Sequence, residues 1–145
     1  MGEEGRRITD AWLIDHDGVT QRGDFILDSD GSYSTSKGDE DVIETIDGSN
    51  RLITRSFQNW HTHLAMTLNR GMGEGLPLME WLEKSIFPVE KNLTPELIEI
   101  GTRAAAAEMI ATGTTFACDM YFHTEIIGNT LAESGVRAIL CGPVT

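Results

Sequence analysis

Apolar and polar positions follow two different rhythms along the chain, and the change falls near residue 52. Before it, short apolar runs alternate with clusters of Asp, Gly and Ser. This predicts strands at Ile8–Ile14, Asp24–Leu27 and Val42–Ile46. Turns are expected at Asp15–Gly18, Asp28–Gly31 and Asp47–Gly48, and the Asp-Gly pairs read as hairpin signals. Ser32–Gly38 is polar and reads as a loop. From Leu52 to Trp60 the chain is extended and mixed. Leu78, Trp81, Leu82 and Ile86 then recur at helical spacing, predicting a helix over Leu76–Phe87 that Pro88 should stop. Thr94-Pro95-Glu96 is a helix start, with Thr as cap and Pro in the first turn, and the helix should end at Gly113. Thr114–Tyr121 reads as a buried strand, Thr124–Ser134 as a helix ending at Gly135, and Val136–Leu140 as another buried strand. Strand, helix, strand, helix, strand at this spacing predicts a parallel sheet with right-handed crossovers.

Composition narrows the function classes. The 145 residues carry 23 acidic and 11 basic side chains, a net charge of -12. That balance argues against nucleic acid or an anionic membrane as partner, since both select basic surfaces. The charge is uneven, because residues 1–50 hold 13 acids and only 4 bases. No apolar run approaches the roughly 20 residues of a membrane-spanning helix, and Met1–Asp10 shows no signal-peptide pattern. Cys118 and Cys141 are far apart and sit in apolar stretches, so both are expected to be buried free thiols of a cytoplasmic protein. Asp28–Gly31 lacks the acidic spacing of a calcium loop.

The candidate chemistry lies at His61 and His63. Two residues apart at a strand end, they should point to one face, as two ligands of one zinc ion would. Strand C-termini are also where parallel α/β proteins bind ligands. The pair alone reads equally well as two solvent-facing loop histidines. Gly71–Gly75 lacks the Lys-Ser/Thr ending of a phosphate loop and reads as a flexible turn, a mobile active-site loop.

The run Asn59-Trp60-His61-Thr62-His63-Leu64-Ala65-Met66-Thr67-Leu68-Asn69-Arg70-Gly71 resembles the first metal-binding strand of the amidohydrolase superfamily. Leu76–Leu82, Ile86–Glu90, Ala105–Met109, Gly113–Thr115 and Asp119–His123 are similar to its cytosine- and adenosine-type deaminase branch. Most similar is the 5-methylthioadenosine/S-adenosylhomocysteine deaminase group with its triazine hydrolase relatives. The specific resemblance covers residues 52–145. It implies an α/β fold: the N-terminal portion of a metal-dependent hydrolase (β/α)8 TIM barrel, preceded by strands of a small β-sandwich domain. The domains would be residues 1–54 and 55–145, both incomplete.

The resemblance further implies His61 and His63 as the first two ligands of one divalent ion, zinc or alternatively iron. Glu90 would accept from the ribose hydroxyls of an adenosine-like substrate, its other reading being a surface acid at a helix end. Trp81 would shape the substrate pocket or pack in the core. Asp119 reads as a structural hydrogen-bonding residue. The implied reaction is hydrolytic deamination of a small nucleoside-like molecule, with no nucleic acid or membrane partner and with homo-oligomerisation open at full length. The proton-shuttling groups would lie beyond residue 145, so the 145-residue chain alone is expected to be inactive. The alternatives are guanine or cytosine deamination, triazine dechlorination, or a noncatalytic truncated module. One departure stands out: the family's Pro-Gly before the metal strand is replaced by Thr54-Arg55-Ser56-Phe57-Gln58.

Overall fold

The structure is a computed structural model that describes residues 5–142. It divides into two compact units, Met1–Arg55 and Ser56–Thr145, each taken by itself below.

The first unit is one sheet with strand order β3-β2-β1-β4, in which β5 also pairs with β1. Here β1 is Arg6–Ile14, β2 Thr20–Leu27, β3 Tyr33–Thr35, β4 Glu44–Asp47 and β5 Leu52–Ile53. Two Asp-Gly turns close antiparallel hairpins, β1 with β2 and β2 with β3. The stretch expected to be a loop thus contains a three-residue strand, because β2 offers it a ladder to join. Asp47-Gly48 does not close a hairpin. Both β4 and β5 run parallel to β1, along the same edge. The physical reason lies in a bulge of β1 between Ile8 and Ala11, where Asp10 takes a positive φ of 55°. The Arg22 guanidinium grips Asp10 through Nε and Nη2 at 2.7 and 2.8 Å, which holds the bulge in place. At the bulge Gly48 donates to the Thr9 carbonyl at 2.7 Å, and Trp12 takes the Arg51 carbonyl at 3.1 Å. A Cβ on Gly48 would stand 2.6 Å from the Thr9 oxygen, so only glycine fits this jog. Ile8, Ala11, Leu13 and Phe25 form the buried cluster of the sheet, with Leu27, Ile46 and Ile53 against it.

Glu40 ties the polar segment between β3 and β4 to the sheet. Its carboxylate accepts from the Lys37 backbone N–H, from the Ser36 hydroxyl at 2.8 Å and from Arg7 at 3.0 Å. These donors, led by the Lys37 N–H, push its pKa down from 4.5 to about 2. A carboxyl whose pKa is lowered by folding stabilises the fold above its unfolded value and loses that contribution as pH falls toward the folded one. The thermal midpoint should therefore fall between pH 4.5 and about 2 more steeply in the wild type than in Glu40→Gln. Parallel pH profiles for the two proteins would contradict this.

The second unit is a three-stranded parallel sheet, order β6-β7-β8, with β6 Phe57–Thr62, β7 Thr114–Met120 and β8 Arg137–Cys141. The extended stretch read over Leu52–Trp60 is interrupted, so β5 and β6 belong to different units. A 3-10 helix, Leu64–Asn69, follows β6 directly. The predicted helix over 76–87 forms as three segments: α1 Leu78–Trp81, a π turn Leu82–Ile86 and α2 Phe87–Glu90. Pro88 does not stop it. It sits in the first turn of α2, and the widened turn before it relieves the clash that a proline ring makes with the carbonyl four residues back.

Helix α3, Pro95–Ala111, starts as expected, with the Thr94 hydroxyl accepting from the Leu97 N–H at 3.3 Å. Helix α4 is Thr124–Ser134. Ile98, Ala105, Ala106 and Met109 of α3, Ile127 and Leu131 of α4, and Ala117 and Tyr121 beside β7 form the core, which Leu64 and Ala65 complete. Cys118 is half-buried, whereas Cys141 is exposed rather than buried. The reason is its place on β8, which among the described residues pairs only with β7 and so lies at the sheet edge.

Candidate functional site

The site grows from the junction of β6 and β7. Across it Thr62 pairs with Asp119, and the ladder is irregular between Asn59 and Thr62. Period-two geometry brings the imidazoles of His61 and His63 together, with ring centroids 5.3 Å apart and planes at 85°. His61 is exposed, near the strand end, and His63 is half-buried at the first step beyond it. Nδ1 of His63 lies 2.6 Å from the Met120 carbonyl. A carbonyl only accepts, so Nδ1 carries the proton and Nε2 of the neutral ring is left with its lone pair. A metal-ligating histidine is held in this way, with one nitrogen bonded to the protein and the other free.

Asp119 is 1% exposed and lies one residue before that carbonyl. Its Oδ1 accepts the Leu64 N–H at 2.7 Å, and its Oδ2 has no partner. Burial pushes its pKa up, opposed by the Leu64 N–H and by His63. Tyr121 follows on the same face of the chain, 4% exposed, with its ring 6.1 Å from that of His63. Burial, with the neighbouring Glu90 and Asp119 carboxylates acting the same way, raises its pKa, so the hydroxyl keeps its proton. Glu90 acts on it by charge and proximity, without a hydrogen bond of good geometry.

A cavity of about 240 Å³ is lined by His63 and Tyr121 together with Trp81, Ile86 and Glu90. A neighbouring cavity of about 400 Å³ shares Phe87, Glu90 and Phe122 with it and adds Lys91 and His123. Three of the four residues singled out from sequence, His63, Trp81 and Glu90, thus line one cavity, and His61 stands beside His63 outside its lining. Trp81 is half-buried, and its indole N–H donates to the Met72 carbonyl at 2.8 Å. The turn at Gly71–Gly75 is thereby tied to α1, a tether that the expectation of a mobile turn did not include. Tyr121 was not singled out from sequence. The signal was there in the period of two linking Ala117, Asp119 and Tyr121, all buried. Among the described residues no group of three His, Cys, Asp or Glu side chains comes together as a metal cage.

Residues 52–145 match the family described as the amidohydrolase family. The chain belongs to that family. It is 39% identical over 120 residues to the 5-methylthioadenosine/S-adenosylhomocysteine deaminase of Thermococcus kodakarensis, covering 82% of this chain and 28% of that protein. The enzyme of the same name from Syntrophomonas wolfei is 46% identical over 117 residues, covering 81% and 27%. The 5'-deoxyadenosine deaminase of Methanocaldococcus jannaschii is 47% identical over 97 residues, covering 67% and 23%. The chain therefore spans about a quarter of the length of these curated relatives. Among solved structures, an adenosine deaminase from Xanthomonas campestris with bound zinc superposes with a TM-score of 0.83 at 26% identity, covering 94% of this chain and 33% of that one. A triazine hydrolase from Arthrobacter aurescens gives a TM-score of 0.81 at 20% identity, covering 97% and 36%, and shares the α/β fold.

Proposed function

We propose that this chain is part of a zinc-dependent amidohydrolase that hydrolytically deaminates an adenosine-like nucleoside, of the 5-methylthioadenosine/S-adenosylhomocysteine type. The observation that carries the reading is the convergence of His63, its Nε2 lone pair free, with Glu90 and Trp81 on one cavity. The names of the similar deaminases support the substrate class.

His61 and His63 would hold the ion, zinc or alternatively iron. Two imidazoles with ring centroids 5.3 Å apart are a donor set that zinc accepts. When bound, the ion would supply Lewis-acid activation of water. Glu90 would take the ribose hydroxyls, since a carboxylate can accept from two neighbouring hydroxyls at once. Trp81 has spent its N–H on Met72, so it offers the substrate only its ring. The apolar neighbours Ile86 and Phe87 line the same cavity and would limit water around a bound base.

The proposal takes residues 1–54 as strands of a small β-sandwich and 55–145 as the opening strands and helices of a (β/α)8 barrel. It assigns the remaining metal ligands and the proton-shuttling groups to other parts of a longer protein. No helix among the described residues is long and apolar enough to cross a membrane, and the reading takes the protein as cytoplasmic.

Ammonia release tests this. A protein carrying this segment at the length of its relatives, loaded with zinc, should release ammonia from 5'-deoxyadenosine-type nucleosides faster than from guanine or cytosine. The 145-residue chain should release none above a His61→Ala control. Turnover by the short chain above that control, or a preference of the long protein for guanine or a chlorotriazine, would overturn the reading.

A further inference from the structure

His63 is gripped twice by two consecutive residues of the neighbouring strand. Met120 takes the proton of its ring through the backbone carbonyl at 2.6 Å. Asp119 takes the N–H of the very next residue, Leu64, at 2.7 Å. The backbone ladder stops just short of these contacts, at the pair Thr62 and Asp119, and its register slips before that pair, between Asn59 and Thr62. Nor does His63 hold the following turn itself. It occupies the cap position of the 3-10 helix Leu64–Asn69 with φ -131° and ψ 77° and makes no side-chain capping bond. The first N–H of that helix is satisfied from across the sheet, by a side chain that is 1% exposed. A buried acid within an apolar strand is unusual, and half of this one, Oδ2, has no partner. Core packing does not account for it, since an apolar side chain would fill the space without an orphaned oxygen. Fixing the turn that carries His63 does account for it.

We propose that Asp119 is a positioning residue for His63: through Leu64 it fixes the backbone beyond the histidine, which keeps the ring within reach of the Met120 carbonyl and leaves Nε2 free to bind a metal ion. The bond to Met120 selects the Nδ1–H tautomer, and that bond needs the ring to stay where Asp119 holds it. Without the anchor the ring is released to solvent, where the Nε2–H tautomer is preferred and the nitrogen aimed at the ion is blocked. The metal half of this inference rests on the reading of His61 and His63 given above, whereas the tautomer half does not.

The test uses the 145-residue chain labelled with ¹⁵N-histidine, at about pH 8, where imidazole is neutral. The imidazole nitrogen shifts of His63 report the tautomer directly, zinc affinity is read by competition with a chromophoric chelator, and circular dichroism checks folding. The wild type should show the Nδ1–H tautomer. Asp119→Ala should show a mixture, with zinc affinity lower by roughly 10- to 100-fold, the usual cost of losing a partner behind a metal ligand. Asp119→Asn keeps an oxygen that can accept from Leu64, and it should restore the tautomer and most of the affinity. The inference is overturned by an Nε2–H tautomer in the wild type. It is equally overturned by a folded Asp119→Ala with wild-type tautomer and affinity, or by Asp119→Asn behaving no better than Asp119→Ala. If Asp119→Ala does not fold, the wild type and Asp119→Asn decide. A chain that binds no zinc, yet whose His63 tautomer follows Asp119, sinks the metal reading and leaves the positioning role standing.

Discussion

Replacing His63 with alanine is expected to lower the zinc affinity of the chain by at least about 100-fold, since loss of a mere supporting partner already costs 10- to 100-fold. The effect should exceed that of His61→Ala. His63 has its ring proton committed to the Met120 carbonyl and its backbone followed at once by the bond from Leu64 to Asp119. The free Nε2 is therefore oriented before any ion arrives, and binding loses little conformational freedom at that ligand. His61 is exposed, and its ring contact is the edge-on packing against His63 itself. Removing His63 thus takes away one donor and the support of the other. His16, paired with Asp17 at 3.0 Å in the first unit, serves as the control. Its alanine variant should bind zinc like the wild type. Competition with a chromophoric chelator measures all three, and unchanged affinity in His63→Ala would remove the pair from consideration as a metal site.

The second large effect is expected at Gly101, in the middle of α3. A Cβ built there would lie 2.4 Å from the Ala65 carbonyl oxygen and 3.0 Å from the Ala65 carbonyl carbon and Cα. These are backbone atoms, so no side-chain rotation can relieve the overlap. The helix and the 3-10 turn touch because this position has no side chain. Gly101→Ala gains about 1 kcal/mol of helix propensity, yet the overlap should leave it less stable than the wild type. Gly101→Val adds two methyl groups beyond that Cβ and should cost more than about 3 kcal/mol, at the upper end of overpacking effects. Denaturant midpoints followed by circular dichroism would measure both. The damage should reach the site as well, because the displaced turn is the one that His63 begins. A Gly101→Val protein with wild-type stability would show that the two segments do not need this close approach.

What could be read from sequence was what short stretches decide for themselves. Thr94-Pro95 begins α3, and Thr124–Ser134 forms the helix that its pattern predicts. The strand–helix alternation gave the parallel order of β6, β7 and β8. The spacing of His61 and His63 gave two imidazoles side by side. What escaped depends on partners distant in sequence. β3 has three exposed residues and becomes a strand only because β2 accepts it. β4 and β5 run parallel to β1 because a bulge there opens a place for Gly48, and nothing near Asp47 announces that bulge. Asp119 was legible as a hydrogen-bonding acid, but its partner, the N–H of Leu64, lies 55 positions away. The importance of Tyr121 was hidden for the same reason, since Glu90 and His63 become its neighbours only when the chain folds.

The π turn at Leu82–Ile86 bears on the whole cavity. Trp81 and Glu90 are nine residues apart, and in an uninterrupted α-helix of 3.6 residues per turn they would face roughly opposite directions, about half a turn out of phase. One wider turn between them acts as a phase shifter, turning the helix back so that both side chains overlook the same hollow. The helix behaves as two short rulers joined with an offset, and Pro88 helps to hold the offset in place. A single-residue deletion within residues 82–86 would restore an ordinary helix with the two side chains eight residues apart, about 80° around its axis, and so keep the carboxylate on the side of the indole. Losing the wide turn together with one residue is therefore a change of length and not of aim, whereas closing it at full length would turn the carboxylate away from the indole.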